Sequence, residues 1–211
     1  MSRIIEYFST HSSEYLTLLG QHLGISLLVV LIAMVIAIPL GIIFARYRRI
    51  QIFFERFFGL LRIVPSLAVL IICITIIGTG VRPTVIALTI LAIPPILINT
   101  GQAFLNLPES IVEAAVAMGM SSADVFFKVK LPLAFPLMFA GIRTATVEVI
   151  ASATLASYIG AGGLGDIIYT GLALLRMDLL MIGGGSVAIL SLGMGFLLDR
   201  FYSHMTKYQR A

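Results

Sequence analysis

Long runs of apolar residues without formal charge dominate this sequence and limit the folds open to it. A helix that crosses a bilayer needs about 20 mostly apolar residues, and the 211-residue chain contains several runs of that length. Of all residues, 59% are hydrophobic and 11% are charged, whereas soluble domains have about 25% charged residues. Too little charge remains to cover a water-exposed surface, so lipid is the expected solvent for much of the chain. Soluble enzymes and nucleic-acid-binding proteins are therefore disfavoured.

The apolar runs predict an all-α, polytopic membrane protein whose single domain covers residues 1–211 and contains five transmembrane helices. The spans are expected at about residues 24–44, 63–81, 84–104, 136–159 and 179–198. A loop at residues 105–132 separates the third span from the fourth. Before the first span, we expect an amphipathic helix at the outer interface, formed by Ile4, Ile5, Phe8, Tyr15, Leu18 and Leu19.

The positions of Lys and Arg predict the orientation, because positive charges near the ends of spans stay on the cytoplasmic side. Most of them follow the first, third and fifth spans or border the second: Arg46, Arg48, Arg49, Arg56, Arg62, Lys128, Lys130, Arg200, Lys207 and Arg210. The opposite side holds Arg3, Arg82 and Arg176. We therefore expect the N-terminus outside and the C-terminus in the cytoplasm.

The long cytoplasmic loop has the pattern of a helix, a turn and a second helix. Pro108 followed by Glu109 is typical of a helix start. Gly119 is expected to end that helix, and Ser121 to cap the next one. Apolar residues at helical spacing give the two helices an apolar face: Ile111, Ala114, Ala115, Met118, Val125, Phe126 and Val129.

This loop carries a motif with fixed spacing, E-A-A-x3-G-x9-I-x-L-P. Its positions are matched by Glu113, Ala114, Ala115, Gly119, Val129, Leu131 and Pro132, and Val129 in place of Ile is the only departure. On these residues the chain resembles the inner-membrane permease subunits of bacterial ATP-binding-cassette (ABC) importers. Further stretches, at residues 63–68, 98–100, 140–145 and 158–166, are similar to permeases of osmoprotectant importers, which handle glycine betaine, carnitine, choline and proline betaine, and to methionine importer permeases.

The resemblance implies a type I ABC importer permease in a bacterial plasma membrane, with several partners. The motif helix would sit in a cleft of a cassette ATPase dimer, a second permease copy or homologue would complete the path, and an extracytoplasmic binding protein would select the solute. Small Ala114 and Ala115 allow close helix contact, and Gly119 allows a tight turn. The chain itself is expected to be non-catalytic and without a cofactor, because ATP would be bound by the partner subunit.

Four alternatives remain open. The loop could be only an ordered interfacial segment with Glu113 solvated. The chain could be a membrane anchor whose loop docks a soluble enzyme without transport. The chain could be a secondary transporter or channel driven by an ion gradient, although many of those show two related halves and no repeat is visible here. The solute could be methionine or another small molecule instead of an osmoprotectant.

Arg143 and Glu148 are charged residues inside the fourth predicted span. A charge in a span is costly and usually marks a pathway or a partner. Five residues along a helix separate the two side chains by about 140°, so we do not expect them to pair. We expect Arg143 to reach the lipid headgroups and Glu148 to face the aqueous path or the subunit interface.

Small residues recur four apart in the same span at Ser152, Ala156 and Gly160. Such residues let helices approach closely in lipid. They could pack within one subunit, or they could line a translocation path between two copies together with Glu148.

Gly160, Gly162, Gly163 and Gly165 match the dinucleotide-binding pattern G-x-G-x-x-G, but that site needs a preceding strand and a suitably placed acidic residue. We instead expect these glycines to form a bend at the outer mouth, where a binding protein docks. No metal site is expected, because His11, His22 and His204 fall on opposite sides of the membrane. The chain has no Trp for an aromatic cage around a quaternary ammonium, which fits solute selection by a separate protein.

Overall fold

The computed structural model describes residues 2–205, which are helical with short connections and contain no β-strand. Ten α-helices follow one another along this part of the chain: α1 Ser2–Thr10, α2 Ser12–Ala45, α3 Arg48–Leu61, α4 Ser66–Ile77, α5 Val81–Leu105, α6 Glu109–Ala117, α7 Ser122–Asp124, α8 Leu131–Ser152, α9 Gly165–Ala173 and α10 Met177–Met205. A π-helical segment, Val125–Lys130, joins α7 to α8, and a 3-10 segment, Ala153–Ile159, extends α8. Lys207 and Arg210, which contributed to the predicted orientation, lie outside the described residues.

Four helices within residues 2–205 are long and apolar enough to cross a bilayer: Ser12–Ala45, Val81–Leu105, Ser122–Ile159 and Met177–Met205. They contain the first, third, fourth and fifth predicted spans. The fourth of the predicted spans is therefore part of a longer helix that begins inside the cytoplasmic loop.

The second predicted span, residues 63–81, is not one long helix, so the count of five is not confirmed. Helix α4 has 12 residues, or about 18 Å at 1.5 Å per residue, which is shorter than the bilayer's hydrocarbon core of about 30 Å. Pro65 precedes the helix, and Gly78 and Gly80 follow it with φ angles of +93° and +105°. Proline and glycine with a positive φ angle interrupt a helix. The span was predicted from hydropathy alone, which does not include this conformational effect.

Helix α3 occupies residues expected to be a short loop, and it runs along α5 in the opposite direction. Near its start, Gln51 lies so close to Gly101 that a Cβ at Gly101 would overlap the Gln51 amide. Just after its end, Arg62 and Pro65 line a cavity together with Leu91, near the middle of α5.

Helix α4 continues along the first half of α5. Its residues Leu70 and Cys73 belong to an apolar cluster with Ala87 and Ile159. Beyond its end, the Gly80 N–H donates a hydrogen bond of 2.8 Å to the Ile159 carbonyl. Together, α3 and α4 therefore follow almost the full length of α5, with the interruption at residues 62–65 beside its middle.

Helices α2, α5 and α8 form the centre of the molecule. Their contact residues are mostly small or β-branched, which lets helix backbones approach closely: Val29, Ala33, Ala37, Ala92, Ile96, Ala145, Val149, Ala153 and Ala156. At Gly141 of α8 an added Cβ would lie 2.7 Å from the Pro95 carbonyl oxygen of α5. The core is thus set by close backbone contact between these helices.

A third apolar cluster joins α1 and the start of α2 to α9 and α10. Leu164, Ile167, Leu179 and Ile182 pack against a set of residues from α1 and the start of α2. That set is Ile4, Tyr7, Tyr15, Leu18 and Leu19. The expected single amphipathic helix is instead two helices, interrupted at His11. Four of its six apolar residues pack against protein, whereas Ile5 and Phe8 are exposed.

Candidate coupling loop and translocation cavity

The loop at residues 105–132 has the predicted helix, turn and cap. Helix α6 begins after Pro108, and Gly119 ends it with a φ angle of +82°. The Met120 N–H donates to the Ala115 carbonyl at 3.3 Å, a pattern typical of helix ends with a left-handed glycine. The Ser121 side chain accepts a hydrogen bond from the Asp124 N–H at 3.2 Å. These features confirm the local interpretation of the sequence.

The motif residues divide between an exposed face and an inward face. Glu113, Ala114 and Gly119 are exposed, whereas Ala115 is buried. Val129 and Leu131 are partly buried, and Pro132 is exposed. The structure therefore places Glu113, Ala114 and Gly119 where a partner could reach them.

The predicted apolar face of the loop is exposed at three positions, Ile111, Ala114 and Met118. Val116, which was not assigned to that face, is also exposed. Of the neighbouring phenylalanines, Phe126 stacks on Phe104 of α5 at a centroid distance of 5.8 Å, while Phe127 is exposed. Val116, Met118 and Phe127 thus offer an apolar surface beside the motif, and Phe126 anchors the loop to α5.

The second helix of the loop does not end before the fourth span. It continues through the π-helical segment into α8, so the chain is helical from Ser122 to Ile159. Proline lacks an N–H, and its ring collides with the carbonyl four residues before it. Pro132 follows the π-helical turns directly, and widened turns of this kind accommodate such a break in the helical hydrogen bonds.

Arg143 and Glu148 do not pair with each other, as predicted, and each has a distant partner. Arg62 Nη2 lies 2.7 Å from Glu148 Oε1, and Arg143 Nε lies 2.6 Å from Asp199 Oδ1 on α10. Arg143 therefore binds a protein carboxylate rather than a lipid headgroup. Sequence reasoning missed the partner of Glu148 because Arg62 is 86 positions away and was assigned to a span border.

A cavity of about 290 Å³ surrounds the Arg62–Glu148 pair. Ser152, one of the predicted path residues, lines it as well. Ala156, the third, is 1% exposed and belongs to the core cluster instead. The remaining lining residues are Ile63, Val64, Pro65, Ser66, Leu88, Leu91 and Val149.

A polar network, which the sequence did not reveal, links α3 to the end of α5. The Gln51 and Gln102 side-chain amides both donate to the Glu55 carboxylate. Asn106 Nδ2 donates to Gln102 Oε1 at 2.7 Å. Asn106 lies at the start of the loop at residues 105–132, so the network joins the beginning of this loop to α3.

The four glycines after α8 form a bend. Gly160, Gly162 and Gly163 have φ angles of +78°, +77° and +100°, and a Cβ at Gly165 would overlap the Thr154 carbonyl. The Gly163 N–H donates to Gln21 Oε1 of α2 at 3.2 Å. No strand precedes the bend in the described chain, so the context of a dinucleotide site is missing there.

A larger cavity of about 610 Å³ lies between α1, α2, α9 and α10, and the sequence did not predict it. Carboxylates of Glu6, Glu14 and Asp166 line it together with Tyr7. Burial raises the pKa of Tyr7 above its ordinary value, and the nearby Glu14 carboxylate raises it further. Among residues 2–205, no group of three or more His, Cys, Asp or Glu side chains could hold a metal ion.

Comparison with known proteins supplies the decisive observation. Residues 37–210 match the family described as binding-protein-dependent transport system inner membrane component. The chain belongs to this permease family. A carnitine transport permease protein of Listeria monocytogenes, OpuCB, is 39% identical over 206 residues, which cover 98% of this chain and 94% of the relative. The glycine betaine/carnitine/choline transport system permease protein OpuCB of Bacillus subtilis is 35% identical, over 94% of this chain and 91% of the relative.

The fold of the permease agrees with solved structures of the same kind. A chain of the MetNI methionine ABC transporter in an inward-facing form matches with a TM-score of 0.78 and 22% identity, over 92% of this chain and 96% of that one. At that identity the match shows the fold alone, which is that of a type I ABC importer permease. The resemblance drawn from the cytoplasmic motif is confirmed.

Membership of the family establishes the class of function. The permease is the non-catalytic, multi-pass membrane component of an ABC importer, and ATP hydrolysis belongs to a partner subunit. The family implies an ATPase and a substrate-binding protein as partners. An ion-gradient transporter and a simple membrane anchor are therefore not supported.

Proposed function

We propose that this permease imports osmoprotectants with a quaternary ammonium group, such as glycine betaine, carnitine or choline. The observation that carries the proposal is the 39% identity to a carnitine transport permease across nearly the whole chain. A second relative named for glycine betaine, carnitine and choline supports the same solute class. Methionine is the alternative solute, because the methionine transporter shares the fold.

Helix α6 and the turn after it are proposed to dock onto the ATPase. The exposed Glu113 and Gly119 and the apolar Val116 and Phe127 form a surface suited to a soluble partner. Closure of the ATPase dimer by ATP would move the two docked loops and rock the spans between inward-open and outward-open states. No nucleotide is proposed to bind this chain itself.

Helices α3 and α4 are proposed to form the fifth crossing as one discontinuous span. They have 14 and 12 residues, or together about 39 Å, which exceeds the hydrocarbon core of about 30 Å. Their contacts along the length of α5 support this arrangement. Five crossings also place the termini on opposite sides, in agreement with an N-terminus outside and a C-terminus in the cytoplasm.

A second permease copy is proposed to cover the free face of α4. Ile71, Ile72 and Ile76 are exposed there, on the helix whose first residue, Ser66, lines the cavity that contains the Arg62–Glu148 pair. The binding protein is proposed to dock at the outer end, near the Gly160–Gly165 bend, so that solute is released towards Ser152 and Glu148.

Uptake by the reconstituted importer tests the solute class. The permease is placed in proteoliposomes with its ATPase and binding protein, and ATP-dependent entry of labelled glycine betaine, carnitine, choline and methionine is compared. Entry of at least one quaternary ammonium solute, absent without ATP, is expected. ATP-dependent entry of methionine alone would contradict the proposal, and uptake without ATP would contradict the coupling mechanism.

A further inference from the structure

The Arg62–Glu148 pair sits in a cavity and is not enclosed by protein. The side chains are 43% and 44% exposed, so a solute in the cavity can reach both charged groups. A pair this exposed contributes little to stability, and its two groups can exchange partners at small cost. The position is also unusual, because charged residues inside a span are costly and tend to serve a pathway.

The cavity has a positive end and a negative end. Arg62 lies beside the N-terminus of α4, whose first turn has no side-chain cap, and unpaired helix N-terminal amides add positive potential. Glu148 supplies the negative end from α8. Between them, Leu88, Leu91 and Val149 form apolar walls, which suit methyl groups that cannot donate a hydrogen bond.

We propose that this cavity is a binding site for a small zwitterion, whose carboxylate pairs with Arg62 and whose cationic group pairs with Glu148. The proposal rests on the osmoprotectant function and adds a solute contact within the permease itself. A solute with one charge would separate the pair and leave one partner uncompensated. A solute with both charges replaces the internal pair by two new ones, so neither group is left without a partner. The volume is near the lower end of the range of about 300–1,000 Å³ usual for small-molecule pockets.

Equilibrium binding without the binding protein tests the site directly. Saturation-transfer NMR on the detergent-purified permease–ATPase complex measures the Kd of glycine betaine, a zwitterion, and of choline, a cation without a carboxylate. Arg62→Gln is expected to raise the Kd of glycine betaine by about 10- to 100-fold, because a charge-assisted hydrogen bond is lost. The Kd of choline is expected to fall, because choline no longer has to displace Arg62 from Glu148. Glu148→Gln is expected to raise both Kd values.

Two further variants separate binding from a structural role. Arg62→Lys keeps the charge and is expected to retain most of the preference for glycine betaine over choline. Arg143→Gln breaks an ion pair of similar exposure, 42% and 54%, that lies outside the cavity, and should leave both Kd values unchanged. The permease–ATPase complex must elute intact from size-exclusion chromatography for each variant.

The proposal is overturned if Arg62→Gln changes both Kd values by the same factor, or changes neither, since a purely structural link would behave in that way. It is also overturned if the wild-type complex shows no saturable binding of either probe while the full importer transports glycine betaine. If the importer transports only methionine, the osmoprotectant function fails separately. The site is then tested by the same comparison with methionine and its methyl ester, which lacks the carboxylate.

Discussion

Single residues of the loop at residues 105–132 are expected to determine whether the permease can engage its ATPase. Glu113→Lys reverses the charge on the exposed face of α6, and Gly119→Asp places a side chain at a φ angle of +82°, which costs about 1–2 kcal/mol. Both variants are expected to insert into the membrane but to lose transport and co-purification with the ATPase. Glu109→Lys is the matched control, because Glu109 is exposed on the same helix but outside the motif. Wild-type coupling in both test variants would refute the docking role.

At Gly141, α8 lies so close to α5 that there is no room for a larger side chain. In Gly141→Ala, the new Cβ would lie 2.7 Å from the Pro95 carbonyl oxygen and 2.7 Å from Asn99 Cβ. A loss of stability of about 1–3 kcal/mol is expected from overpacking, measured as a lower midpoint of thermal unfolding in detergent. Gly193→Ala on α10 is the control, since no atom lies within 4 Å of its Cβ. An equal midpoint for the two variants would show that the helices can separate freely.

Local chemistry explains which residue-scale features could be predicted. The turn at Gly119 and the cap at Ser121 depend on neighbours within five positions, so the sequence shows them directly. The partners of Glu148 and Arg143 are 86 and 56 positions away, and their meeting depends on how helices pack. No periodicity in one segment contains that information.

At the scale of elements, hydropathy identified the four long helices but not the short helices α3 and α4. The apolar run at residues 63–81 is continuous in composition, whereas the backbone is interrupted by Pro65, Gly78 and Gly80. Helix α3 was missed because its arginines resemble those of a cytoplasmic loop. Its contacts with α5 involve the buried Gln51 side chain and the hydrogen bond between Gln102 and Glu55, and a hydrophobicity scale counts such polar groups as unfavourable.

The interruption between α3 and α4 is expected to be accessible to water. The chain has one cysteine, Cys73, so a Cys73→Ala background allows single thiols to be introduced. Val64 lines the cavity, so the thiol introduced by Val64→Cys should react with a charged, membrane-impermeant thiol reagent. Ile189→Cys, on the exposed face of α10, should be protected by lipid. Protection of both positions would contradict an aqueous cavity at the break.

At the scale of the whole molecule, the number of crossings determines the sides on which the two ends lie. Alkaline phosphatase inserted at Thr79, between α4 and α5, is expected to be active because the α3–α4 unit carries this turn outside. A fluorescent protein fused to the C-terminus is expected to fluoresce in the cytoplasm. With only four crossings, Thr79 would lie in the cytoplasm and the phosphatase would be inactive.

The family and the fold could be predicted from the sequence, because the motif and the apolar runs each consist of residues that are contiguous in the sequence.

The continuous helical segment from Ser122 to Ile159 has a mechanical consequence. It has 38 residues and a length of roughly 57 Å, and it begins in the loop proposed to touch the ATPase and ends at the glycine bend. A stiff rod that pivots about its contact with α5 moves its two ends in opposite directions. A tilt of about 10° over that length displaces one end by roughly 10 Å relative to the other. A single tilt of this segment would then open the translocation path on one side of the membrane and close it on the other, without a series of separate conformational changes.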